Sequence, residues 1–181
     1  ISNEIRSLLA DDDGTLLIGT NIGVCRYFPE QDNFKRYKID YADDKQLHGN
    51  YVTSMKKRED GSVWISYLGS GIDVIRPDTS FVLHYTMYRD DNYILRNDMI
   101  TSLAFMLDGS TLLGGQEGLQ SIGADRHVLN EQELEKNFPW KKSIPKAYTC
   151  MTLSKDNKYL WVGTELSGVY KVNLVSNQVK R

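Results

Sequence analysis

Four segments of this chain align on one another at a nearly constant spacing, and that repeat limits the fold more than any other feature. They open at Ile5, Val52, Ile100 and Tyr148, separated by 47, 48 and 48 residues. The turn pairs Asp13-Gly14, Asp60-Gly61, Asp108-Gly109 and Asp156-Asn157 keep the same three spacings. Self-similarity at such a period marks a chain built from stacked copies of one supersecondary unit. Each copy opens with a strand-like alternation, as in Val52-Thr53-Ser54-Met55. Asp-Gly or Asp-Asn then makes a hairpin, because these residues tolerate positive φ. A second strand follows over 16–20, 63–67, 111–115 and 160–164. A glycine after it (Gly23, Gly71, Gly118, Gly168) allows another tight turn. A third strand begins at Val24, Ile72, Leu119 and Val169, and a fourth is plain at 34–39 and 81–87.

Four antiparallel strands in a unit of about 48 residues is the build of a β-propeller blade. A lone blade has two apolar faces and buries neither, whereas blades stacked around an axis cover each other. The expected fold is therefore all-β: one β-propeller segment over 1–181, with about four four-stranded antiparallel blades at 1–47, 48–95, 96–143 and 144–181. Trp64 and Trp161, matched by Leu17 and Leu112, share one second-strand column and are expected to pack between blades. Ser7, Ser54, Ser102 and Cys150 share another, which suits a crowded inner strand. Gly19-Thr20 and Gly163-Thr164 mark a close backbone approach, replaced elsewhere by Ser66-Tyr67 and Gly114-Gly115. An insertion with a short helix over approximately 123–147 interrupts the third unit and is expected on the rim. Asn130 to Lys136 reads as a capped helix with acids in its first turn, ended by Pro139. Trp140 is either a packing plug or an exposed contact residue.

Both ends read as cut within a blade. Ile1 starts inside the lead to a first strand, and Val179-Lys180-Arg181 matches only the start of an outer strand. An open arc leaves an apolar face at each end, larger than a soluble monomer tolerates. The favoured outcome is a homodimer closing an eight-bladed ring. Closure of one copy into a tighter ring, or stacking and aggregation, are the alternatives.

With 22 Lys+Arg against 24 Asp+Glu and a pI near 5.9, the chain lacks the electrostatics of a nucleic-acid binder. No apolar run approaches the ~18 residues that a membrane span needs, and the start lacks the form of a signal peptide. Cys25 and Cys150, 125 residues apart, read as two small buried side chains. His48, His84 and His127 are far apart and fit no metal-ligand spacing, so no metal is expected; His48 reads as an ordinary surface histidine. No GxSxG elbow, P-loop or GxGxxG appears, so no catalytic residue and no cofactor is expected. Asp12-Asp13 is hairpin chemistry, and Asp43-Asp44 and Asp90-Asp91 look like repeat-encoded turns.

The stretches Ile65-Ser66-Tyr67-Leu68-Gly69-Ser70-Gly71-Ile72 and Trp161-Val162-Gly163-Thr164 resemble the central stretch of the pattern V-x-S-[LM]-x(3,5)-D-G-x-[LV]-W-[IV]-[GS]-[TY]-x-x-G-[VIL]. Leu47-His48-Gly49-Asn50-Tyr51-Val52 and Leu95-Arg96-Asn97-Asp98-Met99-Ile100 fit a Leu-x-Asn-x-aliphatic lead. On these residues the chain resembles the two-component regulator propeller repeat over nearly its whole length, most weakly in the third unit. WD40 and Kelch signatures do not recur. The resemblance implies the periplasmic sensor region of a bacterial hybrid two-component system, where seven-bladed propellers precede a membrane helix and a histidine kinase. It implies signal reception, with a saccharide as the expected ligand and transcription regulation as the downstream effect. The remaining blades and domains of the parent chain are then its partners.

The loops before each first strand and those between second and third strands should share one face. The first set carries His48, Asn50, Arg96, Asn97 and Lys146; the second carries or borders Asn21, Tyr67, Gln116 and Glu165. These residues differ between units while the frame repeats, as suits ligand binding on a rigid scaffold. Tyr67 has the ring to stack on a sugar. Two other readings remain open at this point: a protein-interaction propeller without a small ligand, and a propeller lyase or hydrolase acting on a polysaccharide or lactone.

Overall fold

The computed structural model describes residues 2–40, 42–79, 81–88 and 94–181. Among these, strands β1 (Ile5–Ala10), β2 (Leu16–Thr20), β3 (Gly23–Phe28) and β4 (Asn33–Arg36) form the first blade. The second comprises β5 (Val52–Lys57), β6 (Val63–Tyr67), β7 (Ile72–Ile75) and β8 (Val82–Tyr85). The third comprises β9 (Ile100–Phe105), β10 (Thr111–Gly115) and β11 (Gly118–Ile122), followed by helix α1 (Glu131–Asn137). The fourth comprises β12 (Tyr148–Leu153), β13 (Tyr159–Thr164), β14 (Gly168–Asn173) and β15 (Val179–Lys180). Each sheet is antiparallel with its strands in chain order, so every connection inside a blade is a local hairpin.

The repeat reaches down to individual hydrogen bonds. In every blade the first strand carries one irregularity opposite the second, at Ile5/Ser7, Val52/Ser54, Ile100/Ser102 and Tyr148/Cys150. A bulge leaves one residue out of the ladder and turns it aside. In two blades that residue is a threonine reaching the next blade: Thr53 Oγ1 donates to the Ile100 carbonyl at 2.5 Å, and Thr101 Oγ1 to that of Tyr148. The Asp-Gly hairpins repeat as well. Asp13, Asp60 and Asp108 each accept from the backbone N–H and hydroxyl of the residue two on, Thr15, Ser62 and Ser110.

Three apolar cores lie between successive blades. Leu17, Val24, Val52, Met55, Ile65 and Tyr67 fill the first; Trp64, Ile72, Val74, Leu103 and Leu113 the second; Leu112, Leu119, Met151, Leu160 and Val162 the third. The second strand alternates, so each blade gives one residue to the core ahead and the next residue to the core behind. The expected close approach holds: a Cβ on Gly19 would lie 2.5 Å from Val52 Cγ1 of the adjoining blade.

Four expectations need correction. Trp161 is 40% exposed, whereas Trp64, Leu17 and Leu112 in its column are buried, because no further blade lies over that face of the fourth sheet among the described residues. At the other end Leu8 is 60% exposed while its counterparts Met55, Leu103 and Met151 are buried, so the blades form an open arc. Cys25 is buried, but Cys150 is exposed, and both are free thiols. The outer strands are shorter than read, and the third blade's fourth strand is reduced to a single bridge between Ile122 and Val128. The insertion is more than a rim decoration. Asn130 and Glu133 form a capping box on α1, and Leu134, Phe138, Trp140 and Ile144 enter the core between the third and fourth blades. Trp140, 2% exposed, is a packing plug. The Asp90-Asp91 pair lies outside the described residues.

Candidate functional site

At one end of the blades, each turn between second and third strands meets the lead into the next blade. Gly69 and Gly71 N–H both donate to the Asp98 carbonyl, at 3.1 and 3.2 Å, and Ala147 N–H donates to the Gln116 carbonyl at 3.0 Å. The two loop sets therefore share a face, as their register requires. The leads of the second and third blades are also held by a buried polar side chain on the third strand. Gln120 Oε1 accepts from the backbone N–H of Arg96 at 2.7 Å and of Asn97 at 3.3 Å, and its amide donates to the Asn97 carbonyl at 2.8 Å. One blade earlier Asp73 Oδ2 accepts from the His48 N–H at 2.8 Å. Buried polar side chains need partners, and here the lead backbone supplies them.

Above Gln120 a cleft of about 570 Å³ opens between the third blade, the fourth lead and the inserted helix. Arg96, Glu117, Leu119, Glu131, Lys141 and Lys146 are among its lining residues. Glu131 is paired with both Arg96 and Lys141, and Lys146 Nζ meets Glu117 Oε2 at 2.9 Å. The Lys141 hydrogen bond, with help from the Arg96 charge, holds the Glu131 carboxyl below its usual range. Tyr148 closes the floor, and burial pushes its hydroxyl up to about 12. Fixed donors and acceptors of both signs around an apolar floor suit a polar, hydroxylated ligand of a few hundred Å³.

A second cleft, of about 480 Å³, lies over the second blade and is lined by Asp44, His48, Gly69, Ser70, His84, Thr86, Tyr88 and Asp98. His84 on β8 stands opposite Asp73 on β7 in the strand register. Its Nδ1 lies 2.6 Å from Asp73 Oδ1, and both side chains are buried. The Tyr67 hydroxyl donates to the other Asp73 oxygen at 2.9 Å. The His48 ring lies flat on His84, with centroids 3.3 Å apart and planes within 6°. One ligand atom from each of Asp44, His48 and His84 falls within 4.8 Å of the others.

The structure thus divides the sequence-derived candidates. Arg96 and Lys146 line one cleft and His48 the other. Asn97 is committed to Gln120 and to the Met99 N–H. Gln116 and Glu165 are exposed beside Lys146, joined through the backbone of Ala147. Asn50 is exposed, and Asn21 bonds Ser2 and Glu4 in the first lead. Tyr67 is the clearest correction: it is fully buried against Asp73, so its ring has no face for a sugar. His48 is half-buried against His84 rather than an ordinary surface group, and only His127 stands apart, paired with Asp125. Asp73, His84 and Gln120 were missed. A charged or amide residue in the middle of an otherwise apolar third strand was the available signal.

Residues 1–21 match the family described as the two component regulator propeller. That match covers the first lead and the first two strands, whose residue columns recur in the other three blades. The whole chain superposes on the extracellular domain of a hybrid two component system of B. thetaiotaomicron, at TM-score 0.79 and 16% identity, covering 25% of that chain. A second such domain from the same organism matches over 98% of this chain, at TM-score 0.70 and 20% identity, covering 24% of its own length. Virginiamycin B lyase from Staphylococcus aureus matches over 98% at TM-score 0.65 and 16% identity, covering 54% of that chain. At these identities the likeness establishes the fold, a β-propeller segment spanning about a quarter of the length of the extracellular domains it matches. No curated protein sequence matches the chain. Among the described residues, no helix is long and apolar enough to cross a membrane.

Proposed function

We propose that this chain is part of the extracytoplasmic, periplasmic sensor of a hybrid two-component system, where it receives a saccharide and signals to a histidine kinase in the parent protein. The reading treats the segment as a receptor rather than a catalyst, with gene regulation as the eventual output. The observation that carries it is the joint one: a two component regulator propeller repeat at residues 1–21, and whole-chain superposition on extracellular domains of hybrid two component systems. The cleft around Arg96, Glu131 and Lys146 is the proposed receiving site. It lies where two blades and the inserted helix converge, so a bound ligand would bias how those blades pack.

The test is a glycan array followed by calorimetry on the intact protein's sensor region, with Arg96→Ala and Lys146→Ala beside the parent. Each variant is expected to weaken saccharide binding about tenfold or more, the scale of losing a charge-assisted hydrogen bond. Absence of any saccharide ligand, or binding indifferent to both substitutions, overturns the reading.

A further inference from the structure

Two imidazoles and a carboxylate meet over the second blade. We propose that Asp44, His48 and His84 bind a divalent transition-metal ion of the zinc class, with Asp73 as the group that orients His84.

His84 is 2% exposed, and its Nδ1 is taken by Asp73 at 2.6 Å. A carboxylate on Nδ1 fixes that proton there and leaves Nε2 with a lone pair. Among the described residues, His84 Nε2 is buried without a hydrogen-bond partner. A buried polar atom left so is destabilising, a cost that a ligand on that atom would remove. Carboxylate, histidine and metal in line is the usual arrangement around protein-bound zinc, because the outer carboxylate sets the tautomer and raises the basicity of the ring.

The other two donors come from a different piece of chain. His48 and Asp44 lie in the lead before β5, with His48 stacked on His84 and Asp44 at the rim of the same cleft. All three ligand atoms fall within 4.8 Å of one another. Two nitrogens each ~2.0–2.1 Å from one zinc ion lie closer together than that, so the site tightens on binding. His84 is locked by Asp73, and His48, half-buried on a loop, swings out of its stack on binding, because parallel rings with centroids 3.3 Å apart do not both aim an in-plane lone pair at one ion. Two imidazoles and one carboxylate match zinc and its neighbours; calcium and magnesium favour shells of oxygen. A fourth position remains for water or a ligand oxygen from the cleft that Thr86 and Asp98 also line. The ion would pin the lead of the second blade to its outer strand. This proposal holds whether or not the chain receives a saccharide.

The test is calorimetric titration of the full 181-residue chain with Zn²⁺, on a Cys150→Ser background so that the exposed thiol cannot compete, together with the visible spectrum of Co²⁺ bound in its place. The expected result is one ion per chain, with d–d bands of low-coordinate cobalt. Affinity should fall at least about tenfold in His48→Ala and in His84→Ala, a loss at least as large as that of an outer-sphere partner. His48 packs less deeply, so His48→Ala keeps the test open if His84→Ala fails to fold. No binding by a folded parent chain, or equal binding by His48→Ala, overturns the proposal.

Discussion

Trp64 and Trp161 occupy one column of the repeat, yet they should respond very differently to truncation. Trp64 is 5% exposed and Trp161 is 40% exposed. An indole side chain presents ~200 Å², so the extra third that Trp64 removes from water is worth ~1.8 kcal/mol at ~25 cal/mol per Å². Cavity formation widens the gap. Trp64 is enclosed by Tyr85 at 6.1 Å, Phe105 at 5.7 Å and the Arg58 guanidinium at 5.3 Å, and its indole N–H donates to Ser62 Oγ at 3.0 Å. Water cannot easily refill that space. Trp161 has Lys171 at 5.3 Å over its ring and solvent on one side, so truncation there leaves no closed void. Trp64→Ala is therefore expected to cost about 3–5 kcal/mol, and Trp161→Ala about 1–2 kcal/mol. Urea unfolding at 25 °C, followed by far-ultraviolet circular dichroism, measures both, provided the m-values match the parent's. Equal losses would refute the open arc, since they would mean that the outer face of the fourth blade is as covered as the interior ones.

The turn after β6 offers a second test: Gly71 has φ +69, and a Cβ there would lie 2.0 Å from the Tyr85 carbonyl oxygen. Gly71→Val should lose well over the ~1–2 kcal/mol of left-handed backbone alone, while Ser70→Ala should stay within ~0.5 kcal/mol; equal melting temperatures would reject the assignment. His127 is raised above its ordinary value, first by its hydrogen bond to Asp125 at 2.6 Å, and Asp125 is lowered by the same bond. The stability this pair adds should be present at intermediate pH and lost as pH rises through the raised histidine value, or falls through the lowered aspartate value. Imidazole titration by NMR should show the His127 value dropping in Asp125→Asn, and an unmoved value would sink the pairing. The exposed end faces, with Leu8 at one end and Trp161 and Val169 at the other, predict self-association. Light scattering should detect species above 20.7 kDa that dissociate on dilution, and a monomer at every concentration would count against it.

The frame was legible in the sequence because everything that makes it is local. Each hairpin is announced by an Asp-Gly or Asp-Asn pair, each strand by its alternation, and each blade by recurrence 47 or 48 residues on. The misreadings came where burial depends on something outside the repeat. Trp161 satisfies every local criterion for a core residue, and it is exposed because no blade among the described residues packs over it. Tyr67 ends the second strand of its blade, beside the two loop sets, but its hydroxyl turns inward and donates to Asp73. His48 and His84 are 36 residues apart, a separation without meaning until the register of β7 on β8 sets His84 against Asp73. With that register written out, an acid opposite a histidine within a buried strand pair would have pointed to the cluster.

That column of the repeat, the third-strand residue paired with Ile18, Ile65, Leu113 or Val162 of the second strand, holds Cys25, Asp73, Gln120 and Tyr170. Its neighbours Val24, Ile72 and Leu119 stay apolar and buried, as the inter-blade cores require. In the second and third blades its side chain meets the backbone of the lead, whereas Tyr170 in the fourth joins the apolar core. A polar residue there must find partners, and the nearest are the backbone N–H groups of the lead: Asp73 takes His48, and Gln120 takes Arg96 and Asn97. The residue chosen thus sets how the lead is held, and the lead carries the side chains that face each cleft. A propeller of this kind can change what its loops present through one buried position per blade, without disturbing the strands that stack the blades together.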